Sequence, residues 1–245
     1  MTSRARRTSI RLAGGAGAIG LLWVGLTAPL ATTKQGVDFE VTAYRVPLYA
    51  KAADFLARHA QYRLLARQVT QGLTTDAARV EAVLRWTHEH IRPTPEGWPV
   101  VDDHVLNIII RGYGLNDQMA DVFTTLTTYA GVPAFWRVVE RPEGNAVLSF
   151  AKVNGRWIVI DAEAARIVTD QHGRWLDVEA LLNDPALLRR DAGLLTPHGV
   201  PYWKYLEQLR PFHVPRPLRA ETQMPIPRLG FELRKIFKGG SFSEG

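Results

Sequence analysis

Hydrophobic residues in the first half of the chain recur with the period of an α-helix. From Pro47 to Gly72, and again from Thr75 to Arg92, apolar residues stand three or four positions apart, the spacing that places them on one helix face. Pro47 suits the first turn of the first helix, and Pro93 ends the second. The pattern therefore predicts two packing helices before residue 93.

The best-marked helix begins at Asn116. Asn116 stands where an N-cap belongs, and Asp117 places a negative charge in the first turn, where the helix dipole favours it. Gly131 and Pro133 mark the end of the helix. Apolar residues lie on more than one side, so we expect both flanks to be packed. They are Ala120, Val122, Phe123, Leu126, Tyr129 and Ala130.

After Pro133 the pattern changes to short strands separated by turns. Asn154-Gly155 is a two-residue hairpin signal between two of them. The predicted strands cover residues 134–140, 146–153 and 156–161. Helices followed by a strand meander predict an α+β fold, with the helices packed on an antiparallel sheet.

The N-terminus has the pattern of a signal anchor. Four arginines within residues 1–11 precede an uncharged, Gly- and Ala-rich run from Leu12 to Thr33. About 20 such residues can span a bilayer, and the arginine cluster favours a cytoplasmic N-terminus. We therefore expect residues 1–33 to be a transmembrane segment and 34–45 a polar linker. The rest of the chain would lie on the periplasmic side of a bacterial inner membrane, or be exported if the segment is cleaved.

The positive charge is concentrated at the two ends of the chain. The net charge is +6, and residues 203–245 carry eight Lys and Arg against four Glu, while the middle is nearly neutral. This distribution favours an anionic membrane surface and argues against nucleic acid as a partner. We expect residues 46–195 to form the domain and the proline-rich residues 196–245 an extended basic arm or interfacial segment rather than core. One hypothesis is that Phe231 to Lys238 bind a membrane surface.

The residue types present in the chain exclude several kinds of chemical site. The chain contains no cysteine, which excludes disulfides, thiolate metal sites and a cysteine nucleophile. His88 and His90 stand two positions apart, and residues with that spacing do not face each other on a helix. We therefore expect no metal site and no cofactor.

The order of the motifs resembles the transglutaminase-like superfamily, whose core is similar to that of papain-like cysteine proteases. The matching stretches are Gly114-Leu-Asn-Asp-Gln-Met-Ala120, Gly131-Val-Pro-Ala134 and Gly155-Arg-Trp-Ile-Val-Ile-Asp161. The resemblance implies a papain-like core within residues 46–195.

The same resemblance implies the positions of a catalytic triad. In that family a cysteine opening the central helix is the nucleophile, a histidine on the second strand is its base, and an aspartate on the third orients the histidine. The matching positions hold Asn116, Asn145 and Asp161, with Ala146 replacing Asn145 if the strand carries no insertion. An amide is not a usable nucleophile and cannot accept and return a proton near neutral pH. We therefore expect a pseudoenzyme.

Five residues are candidates for ligand binding: Asn116, Asp161, His104, Asp103 and Trp157. Each also has a structural interpretation, as a helix cap, a strand end, a loop residue or a core residue. A loop carboxylate near a helix start, for example, is more often a capping or turn residue than a ligand-binding group.

The main hypothesis is a membrane-tethered binding or assembly module of the cell envelope, in a polysaccharide-related system. Its ligand would be a protein or peptide segment, and Trp98, Trp136 and Trp157 leave a glycan as the alternative. The competing hypothesis is a hydrolase or acyl transferase with a rearranged, non-cysteine site. That site would be built from Asp102, Asp103, His104 and Asp161.

Overall fold

The computed structural model describes residues 23–37, 40–101, 104–170, 172–184, 186, 188–189 and 195–237. The described residues combine helices with a four-stranded antiparallel sheet, so the predicted α+β class is confirmed. The helices are α1 (Leu48–Val69), α2 (Asp76–His90), α3 (Val105–Arg111), α4 (Asn116–Tyr129), α5 (Val178–Asn183), α6 (Tyr202–Glu207) and α7 (Pro225–Phe237). The strands are β1 (Pro29–Gln35), β2 (Val41–Pro47), β3 (Arg92–Pro93), β4 (Tyr113–Gly114), β5 (Ala134–Val139), β6 (Ala146–Val153), β7 (Arg156–Asp161) and β8 (Arg166–Ile167).

The N-terminal region differs from the predicted anchor and linker where the structure describes it. Residues 1–22 of the expected membrane segment lie outside the described residues. The end of that segment and the expected linker form an antiparallel hairpin, in which β1 pairs with β2 from Pro29↔Pro47 to Gln35↔Val41. Among the residues that the structure describes, no helix is long and apolar enough to cross a membrane.

The central helix, α4, has the predicted length and position. Residues 118–128 are all buried, because α1, α2 and α3 pack on one side and β5 and β6 on the other. Leu115 is the N-cap and Asn116 the first helical residue, which corrects the N-cap predicted for Asn116. Gly131 follows the helix with φ +92°, a conformation that glycine adopts without strain.

The main sheet has the strand order β5-β6-β7-β8. Asn154 (φ 50°) and Gly155 (φ 82°) form the predicted two-residue turn between β6 and β7. Because side chains alternate across a sheet, β6 contributes to two separate cores. Val147 and Ala151 pack with the α4 side chains, whereas Leu148 and Phe150 pack on the opposite face.

The second core is completed by the C-terminal part of the chain. Tyr202, Tyr205, Leu206 and Leu218 are buried against this opposite face of the sheet. The expectation that residues 196–245 form an extended arm rather than core is therefore corrected, at least as far as Ala220. Prolines and charged residues surround the short helix α6 and hide its apolar positions in the sequence pattern.

Candidate functional site

Asn116 lies half-buried at the first position of α4, the place of the nucleophile in the family that the motifs resemble. Its side-chain oxygen Oδ1 accepts a hydrogen bond from the backbone N–H of Asp117 at 2.8 Å. The carboxyl group of Glu163 lies close enough to interact with this amide. The oxygen of the amide is therefore engaged by the chain itself.

Gln118 organises the start of α4. This buried side chain accepts hydrogen bonds through Oε1 from the Leu115 N–H (3.1 Å) and from Arg111 Nη2 (2.7 Å). Its Nε2 donates to the Val101 carbonyl at 2.7 Å. The N–H of Gln118 itself donates to Asp117 Oδ1 at 2.8 Å. Backbone donors that could stabilise an oxyanion at a helix N-terminus are thus partly occupied by the protein's own side chains.

Asp161 is the last residue of β7, and its carboxylate is buried and hydrogen-bonded. Oδ1 accepts from the Ala164 N–H at 2.9 Å, and Oδ2 accepts from the Tyr202 hydroxyl at 2.7 Å. Tyr202 is fully buried, and burial together with the negative charge of Asp161 raises the pKa of its phenol. The nearby Arg166 opposes this rise in the pKa of Tyr202. Asp161 therefore holds a turn and a buried tyrosine in place.

Glu163 is a site residue that the sequence analysis missed. Burial raises the pKa of its carboxyl group, and repulsion from Asp161 raises it further. His198 and the Asn116 amide oppose this rise. The spacing of Asp161 and Glu163 just after a strand could have suggested a pair of carboxylates. Nothing local in the sequence brings His198 into the electrostatic reach of Glu163, because that proximity comes from the fold.

The structure also separates the two positions that match the family's histidine. Ala146 is the first residue of β6, pairs with Val139, and is buried in the second core, away from α4. Asn145 precedes the strand and is exposed. The first β6 residue on the α4 face is Val147. None of these three side chains can act as a proton-transferring base.

The other residues predicted to belong to the site do not lie together around Asn116. His104 is exposed and is the N-cap residue of α3, where its carbonyl accepts from the Asn107 N–H at 2.8 Å. Asp102 and Asp103 lie outside the described residues. Trp157 is buried, with its ring 5.1 Å from that of Phe135. Trp157 is therefore a core residue, which corrects its place among the expected binding residues.

A surface depression of about 400 Å³ adjoins the turn that holds Asp161 and Glu163. The α2 residues Arg85, His88 and Glu89 line one side of it, and Ala165 and Ile167 line the other. Its lining therefore carries charges of both signs. Within the described ranges, no three His, Asp or Glu side chains converge as metal ligands.

Comparisons with known proteins give partial likenesses to solved structures. Part of the chain is similar to a candidate cysteine protease from Cytophaga hutchinsonii, with 16% identity, 42% of this chain and 37% of that one covered, and a TM-score of 0.38. A candidate protease from Parabacteroides distasonis matches with 12% identity, 61% and 40% coverage and a TM-score of 0.36. A transglutaminase matches with 11% identity, 66% and 48% coverage and a TM-score of 0.34.

These three structures are at most 16% identical to the matched part of this chain. The chain spans less than half of each of them. No family model matches the chain, and no curated protein does. The chain's own elements define its fold: a central helix begins shortly after Gly114, a strand meander packs behind it, and Asp161 ends the third strand of that meander.

Proposed function

We propose that this chain is a catalytically degenerate transglutaminase-like domain that binds a polypeptide segment. The observation that carries the proposal is the state of Asn116. An amide stands in the nucleophile position, its oxygen accepts a hydrogen bond from its own helix, and the Glu163 carboxyl group lies close to it. A primary amide is neither acidic nor nucleophilic enough to form an acyl intermediate near neutral pH.

The surroundings of Asn116 support the loss of acyl transfer. The nearby strand β6 offers Ala146 and Val147 where a base would be needed, and Asp161 is hydrogen-bonded to Tyr202 instead of orienting an imidazole. Removing even one member of a catalytic triad lowers the rate by several orders of magnitude. With two members replaced, binding is the function that the remaining site can perform.

Two features favour a polypeptide as the ligand. The depression beside Ala165 has charged groups of both signs, which suits a chain of mixed side chains. It also borders β8, a two-residue edge strand that pairs with β7. An extended peptide can add to such an edge through backbone hydrogen bonds.

A glycan is the less favoured ligand. Of the three tryptophans expected as stacking platforms, Trp157 is buried, and Trp136 donates a hydrogen bond from Nε1 to Asp121 Oδ1 at 3.1 Å. Trp98 is 53% exposed, but its ring packs against Tyr113 at 5.1 Å.

The proposed location is the outer face of the cytoplasmic membrane, in a cell-envelope assembly. Support comes from the sequence alone: the arginines of residues 1–11 precede an apolar run that reaches residue 33. A tether of this kind would hold a weak peptide-binding site near its partners and so raise their effective concentration.

The test is a selection of random displayed peptides on the full chain, followed by measurement of peptide affinity. Arg85→Glu reverses an exposed charge lining the depression and should weaken binding of the selected peptides about tenfold or more. Arg67→Glu reverses an exposed charge on α1 and is the matched control. Equal affinity of the selected peptides for both variants would place the binding site elsewhere and contradict the proposal.

One observation favours a second candidate, a hydrolase with a rearranged site. A carboxyl group with a raised pKa is suited to act as a general acid or base, and Glu163 is such a group with His198 nearby. This version of the competing hypothesis uses Glu163 and His198 in place of Asp161, because both oxygens of the Asp161 carboxylate already accept hydrogen bonds. The hydrolase hypothesis would be supported over binding alone if the wild type hydrolyses activated esters or peptides and both Glu163→Gln and His198→Ala lose this activity.

A further inference from the structure

The long helix α1 has an exposed apolar stripe along most of its length. The residues of this stripe follow one another at intervals of three or four positions, which places them on one side of the helix. They are Tyr49, Ala53, Leu56, Ala60 and Leu64. All five are exposed, and Tyr49, Leu56 and Leu64 are 54%, 52% and 53% exposed. The stripe is about 22 Å long, or four turns of helix.

The opposite side of α1 is apolar as well. Tyr62 and Ala66 are buried there, and Leu65 and Val69 pack against the core that contains the α4 side chains. A helix that is apolar on both sides is normally covered on both sides. Within the described part of the chain, α2, α3 and α4 contact α1, yet the stripe stays exposed. A partner outside these residues is therefore expected on the stripe.

Charged side chains leave most of the stripe uninterrupted. Asp54, the one acid in the sequence of α1, lies about 100° around the helix from Ala53 and is paired with Arg58. Two exposed cations, Arg63 and Arg67, stand next to the last residues of the stripe. The exposed side of α1 is therefore apolar over its first three turns and positive at its C-terminal end.

The start of α1 lies beside the end of the uncharged N-terminal run, and this placement indicates the partner. The Leu48 N–H, at the first position of α1, donates to the Ala28 carbonyl at 3.1 Å. Just ahead of this contact, Trp23 and Val24 are 69% and 66% exposed. Both belong to the uncharged run of residues 12–33 that is expected to enter the bilayer. The expected bilayer and the stripe of α1 therefore meet at the same end of the domain.

We propose that α1 lies on the surface of the membrane that the N-terminal run enters. Its stripe would occupy the boundary of headgroups and acyl chains, while Arg63 and Arg67 keep their charges at lipid phosphates. Amphipathic rings such as those of Tyr49 and Trp23 are typical of this depth. The inference rests on the location proposed above and is independent of peptide binding. It adds a fixed orientation: because the main sheet lies on the other side of α4 from α1, the sheet would face away from the bilayer.

The absence of cysteine from the chain permits a direct test. Leu56→Cys, in the full chain, carries one polarity-sensitive fluorophore. The chain is reconstituted at one copy per disc in nanodiscs of phosphatidylcholine and phosphatidylglycerol, and the emission and its quenching by brominated lipids are measured. Val138→Cys is the control, since Val138 is an apolar residue, 46% exposed, on β5 and on the other side of α4 from α1.

We expect a blue shift and quenching at position 56 and neither at position 138. Adding Tyr49→Gln and Leu64→Gln should lower the ratio of docked to undocked α1 roughly 25-fold, since each half-exposed apolar side chain kept out of the lipid weakens docking about fivefold.

Three results would overturn the proposal. A chain that enters the discs without quenching at position 56 would leave the proposed location standing but exclude a lipid contact of α1. A blue shift without quenching would mean that protein, such as residues 12–22 of the same chain, covers the stripe. A chain that stays out of the discs would contradict the proposed location together with this inference.

Discussion

The Tyr202 hydroxyl donates a hydrogen bond to Asp161 Oδ2 at 2.7 Å, across 41 positions of sequence. Asp161 matches the aspartate that orients the histidine in the family that the motifs resemble. Here it fixes a fully buried tyrosine from the C-terminal segment against the sheet. The carboxylate has an evident structural use, so its presence is not evidence for retained catalysis.

Removing the Tyr202 hydroxyl should destabilise the fold. Tyr202→Phe leaves the buried Asp161 carboxylate without one hydrogen-bond donor, which costs about 1–3 kcal/mol. Tyr49→Phe is the control, because Tyr49 is 54% exposed. Urea unfolding of both variants measures the free energies. An unchanged value for Tyr202→Phe would mean that Asp161 is satisfied without Tyr202 and is available for another role.

Glu163 should make stability depend on pH in a defined direction. Burial, and then Asp161, raise its pKa above the ordinary value of 4.5. The native state therefore binds this proton more tightly than the unfolded state does. Stability linked to Glu163 is greatest below pH 4.5 and is lost as pH rises through the raised pKa.

Glu163→Gln should consequently be more stable than the wild type near neutral pH, with the difference shrinking below about pH 4. Glu89→Gln, which removes an exposed carboxylate, controls for the change in net charge. Unfolding curves at both pH values test the sign. If Glu163→Gln is instead less stable than the wild type near neutral pH, the contacts of the ionised carboxylate stabilise the fold by more than its burial destabilises it.

The central helix is tied to the C-terminal segment by an ion pair. Arg219 Nη2 lies 2.8 Å from Oδ2 of the buried Asp121. A double-mutant cycle with Asp121→Asn and Arg219→Gln should give a coupling energy of about 1 kcal/mol, limited by the exposure of the arginine. The exposed pair Arg228–Glu232 on α7 is the control and should couple by less. A coupling no larger than that of the control would mean that the pair does not help to dock the segment.

Local signals in the sequence predicted the central part of the fold. Gly131 and Pro133 fixed the end of α4, and Asn154-Gly155 fixed the turn between β6 and β7, because these residues act through their own backbone conformations. The predicted limits of β6 and β7 match the observed ones. The position of Asn116 at the start of the central helix was predicted in the same way.

Long-range contacts could not be predicted in this way. The second core depends on Tyr202 meeting Asp161 and on Tyr205 donating to the Gly144 carbonyl at 3.1 Å, 61 positions away. The grouping of Glu163 with Asn116 also brings together residues from separate elements. No periodicity within residues 196–220 indicates these partners, so the segment was expected to be an extended arm.

Two truncations should separate the roles of the C-terminal residues. Ending the chain after Leu209 removes the buried Leu218 and the ion pair of Arg219, and should lower the free energy of unfolding by about 3 kcal/mol. Ending it after Met224 removes only α7 and the tail. It keeps Gln223, whose carbonyl accepts from the Tyr129 hydroxyl at 2.7 Å, so stability should change little. Thermal unfolding of both chains measures this difference. If both truncations destabilise the chain equally, α7 contributes to the stability of the folded domain, which would contradict the exposure of Ile226, Leu229 and Leu233.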